Sequence, residues 1–121
     1  MRVAYLTTDE VNRNLARGLA AACGAALHPV TPRDDPPDGS IDAVLYDLDF
    51  LSVTHRQEIL AALKAGASPH VAGVHSYGLD ENVVNALRKH HVVVSRRLDG
   101  KLFRKLRRQF APRDSSGEAG R

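Results

Sequence analysis

The sequence predicts a doubly wound α/β domain, and three observations carry that expectation. Five short apolar runs alternate with stretches whose apolar residues recur at helical spacing. The run Ile41–Asp47 is apolar on both faces, as in a strand buried within a parallel sheet, and it closes on a carboxylate. Capping residues and turn formers stand where each element would begin or stop.

Taken in order, Val3–Leu6 reads as the first strand. Thr7 and Glu10 form a capping-box pattern, and Asp9 and Glu10 suit the positive end of a helix dipole. Val11, Leu15, Leu19 and Ala22 then mark the apolar face of a helix that Gly24 ends. Ala25–Val30 is a second strand. Thr31–Ser40, with three prolines, excludes a regular helix through most of its length. Ile41–Asp47 is the third strand, and Thr54 and Gln57 offer a capping box for a helix carrying Ile59, Leu60 and Leu63 up to Gly66. His70–Val74 is the fourth strand. Asp80 caps a short helix with Val83, Val84 and Leu87. His91–Ser95 is the fifth strand, and Asp99 caps a last helix with Leu102, Phe103, Leu106 and Phe110 on one face.

Right-handed crossovers and a central first strand give a flavodoxin-like five-stranded parallel sheet of order 2-1-3-4-5. Parallel strands need a connection of about a dozen residues or more. The second helix is therefore expected to be reduced or missing, with one flank of the sheet exposed. The domain is expected to span residues 1–112, with 113–121, rich in Ser, Gly and charge, as a disordered tail.

A chain of 121 residues with 43% hydrophobic and 26% charged residues fits one ordinary globular domain. It has no apolar stretch of about 20 residues and no signal-peptide pattern, so a cytoplasmic location and no membrane role are expected. Cys23 is the single cysteine, which excludes an intrachain disulfide and reads as a small core residue. The net charge of +3 hides a division: residues 1–87 carry −5 and residues 88–121 carry +8.

In open α/β sheets, ligands and chemistry sit beyond the carboxyl ends of the strands, which singles out Asp47. The strand spacing, Asp47 at the end of strand three, and Ser95-Arg96-Arg97-Leu98-Asp99 before the last helix resemble the receiver domains of two-component response regulators over residues 1–112. The resemblance implies an aspartate that accepts a phosphoryl group. It also implies two acidic residues after strand one that help hold Mg²⁺, a hydroxyl after strand four and a lysine after strand five. On that scheme Asp47 matches the phosphoacceptor, while Thr7 and Thr8 stand at the acidic pair. His75 stands at the hydroxyl position, with Ser76 beside it, and Arg96 replaces the lysine. Arg97 stands where a proline commonly follows, and Val93 replaces the aromatic switch residue.

Two neutral hydroxyls are poor substitutes for carboxylates around a hard dication, and the planar fork of Arg96 is not a compact ammonium. The leading expectation is a non-enzymatic pseudo-receiver with no cofactor and no metal, acting as a protein-interaction module, with Asp47 left as an acid paired with Arg96 or bonded at its strand end. A phosphoacceptor with unusual ligands and a small nucleic-acid-binding regulator using the basic last helix are the alternatives. In receivers the usual interaction surface is the fourth helix, fifth strand and fifth helix. Here that surface carries Arg88, Arg97, Arg104, Lys105 and Arg108, which suits an acidic protein partner or a homodimer. No nucleic-acid-reading motif accompanies the basic segment. Of the six histidines, only His75 beside Asp47 and Asp49 makes a cluster worth testing as a metal site, with a structural role favoured.

Overall fold

The computed structural model describes residues 1–30, 41–66 and 70–119, with side chains described to residue 110. In chain order the elements are β1 (Arg2–Leu6), α1 (Glu10–Ala22), β2 (Ala26–Val30), β3 (Ala43–Asp47), a 3-10 turn (Leu48–Phe50) and α2 (Val53–Lys64). Then follow β4 (Val71–His75), α3 (Glu81–Lys89), β5 (Val93–Ser95) and α4 (Gly100–Ala119). The five strands form one parallel sheet in the order β2-β1-β3-β4-β5, the order the sequence predicts. The expectation of a missing second helix falls on residues 31–40, outside the described residues. The helices α3 and α4 stand where the receiver scheme places its fourth and fifth.

Side chains alternate across the sheet because the strand period is two. Val3, Tyr5, Ala43, Leu45, Val71 and Val93 meet α1 and α4 on one face through Ala16, Ala20, Leu102, Phe103 and Leu106. Ala72, Val74, Val92 and Val94 meet α2 and α3 on the other through Ile59, Leu63, Val84 and Leu87. Ala4, Leu6, Val30, Ile41 and Val44 extend that second face toward β2.

Several local expectations shift, each for a physical reason. Asp9, not Thr7, caps α1, its carboxylate accepting from the Asn12 amide at 2.9 Å. Ser52, not Thr54, caps α2 by accepting from the His55 amide at 3.2 Å. The buried face of α1 is Ala16 and Ala20, while Val11 is 73% and Leu15 47% exposed. Close seating of a helix on a sheet selects small residues, so Val11 and Leu15 are turned outward while Leu19 packs partly buried at the side of the core. The fourth strand ends on His75, one residue later than expected, which sets His75 directly opposite Asp47. The fifth strand loses its first two expected residues. His91 takes a left-handed backbone (φ 60°) and the Val92 amide bonds the carbonyl of Leu87 at 3.1 Å, completing the end of α3. Asp99 accepts from the Leu102 amide at 3.1 Å as expected, and α4 then runs past residue 112 to Ala119.

Gly73 is the point at which α4 presses on the sheet. A β-carbon there would lie 2.8 Å from Leu106 Cδ2 and 3.2 Å from Leu45 Cδ1. Gly73→Ala is expected to lower stability by about 1–3 kcal/mol, the usual cost of overpacking. Leu106→Ala alone is expected to cost about 2–5 kcal/mol. The double variant should lose less than the sum in urea unfolding, because the added methyl fills part of the cavity. Strict additivity would mean that the two side chains do not contact each other as described.

Candidate functional site

The parallel register aligns Asp47 with His75 across β3 and β4, on the α1–α4 side of the sheet. Tyr5 lies one layer below, opposite Leu45. Its phenol reaches upward to His75 Nε2 at 2.7 Å and to Asp47 Oδ2 at 3.5 Å, and the two rings stack with centroids 5.7 Å apart. Thr7, just past β1, donates its hydroxyl to Asp47 Oδ2 at 2.7 Å and accepts from the Asp9 amide at 3.0 Å. Asn12, in the first turn of α1, donates its side-chain amide to the same oxygen at 2.9 Å. Thr7, Asp47 and Ser76 are 0% exposed and His75 is 3% exposed.

Burial sets the protonation states. The Tyr5 phenol is pushed far above its ordinary range, first by desolvation and then by the charge of Asp47, so it keeps its proton. His75 is lowered from its ordinary value, chiefly by desolvation and against the opposing pull of Asp47 and Asp49, which makes it neutral. With one phenolic proton available, the short contact assigns Tyr5 as donor to Nε2 and leaves the imidazole proton on Nδ1. That Nδ1 faces Asp47 Oδ1 across 3.9 Å, too far for a hydrogen bond. Oδ1 is buried and has no hydrogen-bond partner among the described residues.

The expected partner Arg96 is not part of this cluster. It is exposed, and among the described residues the basic group within ion-pair distance of Asp47 is the neutral His75 ring. A buried carboxylate draws on donors that can be buried with it, and a strand-end arginine with open water beside it stays there. Thr8 turns away, its hydroxyl and its amide both bonding the Phe50 carbonyl, at 2.7 and 3.2 Å. Ser76 is likewise committed elsewhere, donating to Asp49 Oδ1 at 2.6 Å while the Tyr77 amide bonds Asp49 Oδ2 at 3.0 Å. The sequence reading missed Tyr5 and Asn12. A tyrosine in a fully buried strand signals that its hydroxyl needs a partner; nothing in the sequence marked Asn12.

These residues do not fit Mg²⁺. Thr7 and Thr8 bring no charge, Asp9 is committed to its helix and Asp49 to Ser76 and Tyr77. Among the described residues no three His, Cys, Asp or Glu side chains converge on a common point. What the arrangement does chemically is hold one buried carboxylate in a ring of neutral donors.

On the basic side, Arg88 from α3 and Lys105, Arg108 and Gln109 from α4 line a cleft of about 260 Å³ over Val92, Val93 and Val94. Arg97 and Arg104 are exposed but do not line it, and Arg104 folds back along its helix toward Gly100. Arg107 is tied instead to the Cys23 carbonyl at the end of α1.

Two measurements check the carboxylate cluster. Thr7→Val keeps the shape but takes one of two donors from Asp47 Oδ2 and leaves the Asp9 amide without its partner, and should cost about 1–3 kcal/mol in urea unfolding. Thr7→Ser should restore most of it; equal losses in both would point to packing alone. Because His75 is held below its unfolded value of about 6.5, the unfolded chain binds more protons as pH falls through that value. Stability should therefore decline from pH about 7 toward 5.5, with a shallower slope in His75→Gln; an unchanged slope would remove His75 from the account.

No protein-family model and no curated protein sequence matches this chain. Solved structures do match. A response regulator from Thermotoga maritima superimposes with a TM-score of 0.66 at 9% identity, covering 91% of this chain and 97% of its own. A CheY-like receiver domain protein from Methanospirillum hungatei gives 0.65 at 8% identity, covering 95% and 97%. The ChxR receiver domain from Chlamydia trachomatis gives 0.56 at 13% identity, covering 91% and 97%. Identities this low establish fold and nothing finer. With the sheet order, they show that this chain has the receiver-like fold these structures share.

Proposed function

We propose that this domain signals without phosphorylation, as a non-enzymatic protein-interaction module in the cytoplasm. One observation carries the reading: Asp47, at the phosphoacceptor position, is 0% exposed, and its Oδ2 accepts from Thr7 and Asn12. A nucleophilic carboxylate needs an open oxygen and an in-line path for the phosphorus atom. Here neither oxygen is open to solvent: Oδ2 is engaged by Thr7 and Asn12, and Oδ1 is buried. The neutral residues at the metal-holding positions remove the charge compensation that phosphoryl transfer requires. The solved structures of this fold are named as response regulators and receiver domains, which supports a signalling role.

With the strand-end site closed, partner recognition in this proposal falls to α3, β5 and α4. Positive potential concentrated in residues 88–121 favours encounter with an acidic protein surface. Pairing of two copies through this face brings like charges together, so an acidic partner is the better complement than a homodimer. Among the described residues no helix is long and apolar enough to cross a membrane.

The test is a titration of the isotope-labelled chain with Mg²⁺ and beryllofluoride, followed by amide chemical shifts. No saturable change is expected around Asp47. Localised shifts that saturate, and that vanish in Asp47→Ala, would restore the phosphoacceptor reading.

A further inference from the structure

The edge of the sheet at β5 is unpaired on its outer side, and its hydrogen-bonding geometry can be read from one bond. The Ser76 amide donates to the Ser95 carbonyl at 3.1 Å, so the backbone groups of Ser95 face β4. Alternation along the strand turns Val93 the same way and leaves the N–H and C=O of Val94 directed away from the sheet. Among the described residues nothing bonds them. Proteins usually blunt such an edge by covering it or by twisting it away. Here the edge instead forms the floor of the cleft between α3 and α4.

The walls of that cleft state what it would accept. Arg88 stands on the α3 side, and Lys105 and Arg108 stand on the α4 side, with no acidic residue in the lining. All three cations are exposed and have no ion pair among the described residues. Gln109 donates to the His91 carbonyl at 2.6 Å and bounds the end at which β5 begins. A strand laid along β5 would send successive side chains to opposite faces of the sheet. One would meet Lys105 and Arg108, and the next would meet Arg88.

We propose that β5 is a docking edge for an extended acidic peptide segment of a partner protein, which adds to the sheet as a sixth strand with neighbouring carboxylates divided between Arg88 and the Lys105–Arg108 pair. The proposal rests on the protein-interaction reading and specifies its ligand. Main-chain bonds to Val94 supply the anchoring, and the flanking cations supply selection for acidic sequence.

The experiment uses the full chain, isotope-labelled, and a short, terminally blocked, valine-rich peptide carrying adjacent aspartates. Saturable shifts at Val92–Ser95 and slowed exchange of the Val94 amide are expected. The same peptide N-methylated on alternate backbone nitrogens should bind about fivefold more weakly or worse, since methylation removes the peptide N–H that donates to the Val94 carbonyl. A lysine-for-aspartate peptide should not bind, and Arg88→Glu with Arg108→Glu should weaken the acidic peptide by about tenfold or more at low salt. Equal binding of the N-methylated peptide would overturn strand addition. So would tighter binding of a single-stranded oligonucleotide without protection of Val94, or an absence of change at β5 with any probe. These results are separable from the phosphoryl-mimic titration, which reads Asp47 in β3, two strands in from the β5 edge.

Discussion

The structure is organised around the need to satisfy one buried carboxylate. Taking Asp47 out of water is costly unless donors accompany it, and they come from two places in the chain. Thr7 donates from the end of β1 and Asn12 from α1, while Tyr5 of β1 and the neutral His75 of β4 enclose the carboxylate. This requirement explains features that otherwise look unrelated. Thr7 has to stay outside α1 to reach Asp47, so the helix starts from Asp9. His75 has to lie in β4 and stay neutral, so the strand extends one residue further and the imidazole is enclosed. Thr8 and Phe50 then join the loops after β1 and β3 over the top.

On the proposed reading, partner recognition moves from the carboxyl ends of the strands to the lateral edge of the sheet. In open α/β sheets the carboxyl ends of the strands are the usual place for ligands. Here that end is filled from within by side chains that neutralise each other's needs. The lateral edge at β5 retains unpaired backbone groups and unpaired positive charge. A fold can keep its topology while the position that meets other molecules moves from the strand ends to the strand side.

Topology was legible because it is written in coarse signals: apolar runs, prolines and capping residues in the right alternation. The ring around Asp47 was only partly legible. Asp47, Thr7 and His75 announced themselves by position, but Tyr5 and Asn12 reach Asp47 across sequence separations of 42 and 35 residues. Arg96 looked like a partner because sequence cannot weigh an arginine's preference for water against a distant acid. The orientation of α1 misled for a related reason. Val11 and Leu15 carry more apolar area than Ala16 and Ala20, yet the small residues allow the closer approach and take the buried face. Gly73 was unremarked in the sequence, although the seating of α4 depends on it.

The chain holds no tryptophan and three tyrosines, so its near-ultraviolet absorbance belongs to phenols. Tyr77 is 74% exposed, whereas burial keeps the phenols of Tyr5 and Tyr46 protonated beyond their ordinary range. Raised values in the folded state mean that stability drains away as pH climbs above about 10, where unfolded tyrosine ionises. In alkali, the Tyr5 phenol therefore turns to tyrosinate only when the molecule opens. The hydroxyl that bonds His75 beside Asp47 thus gives the protein an intrinsic optical signal of its own unfolding.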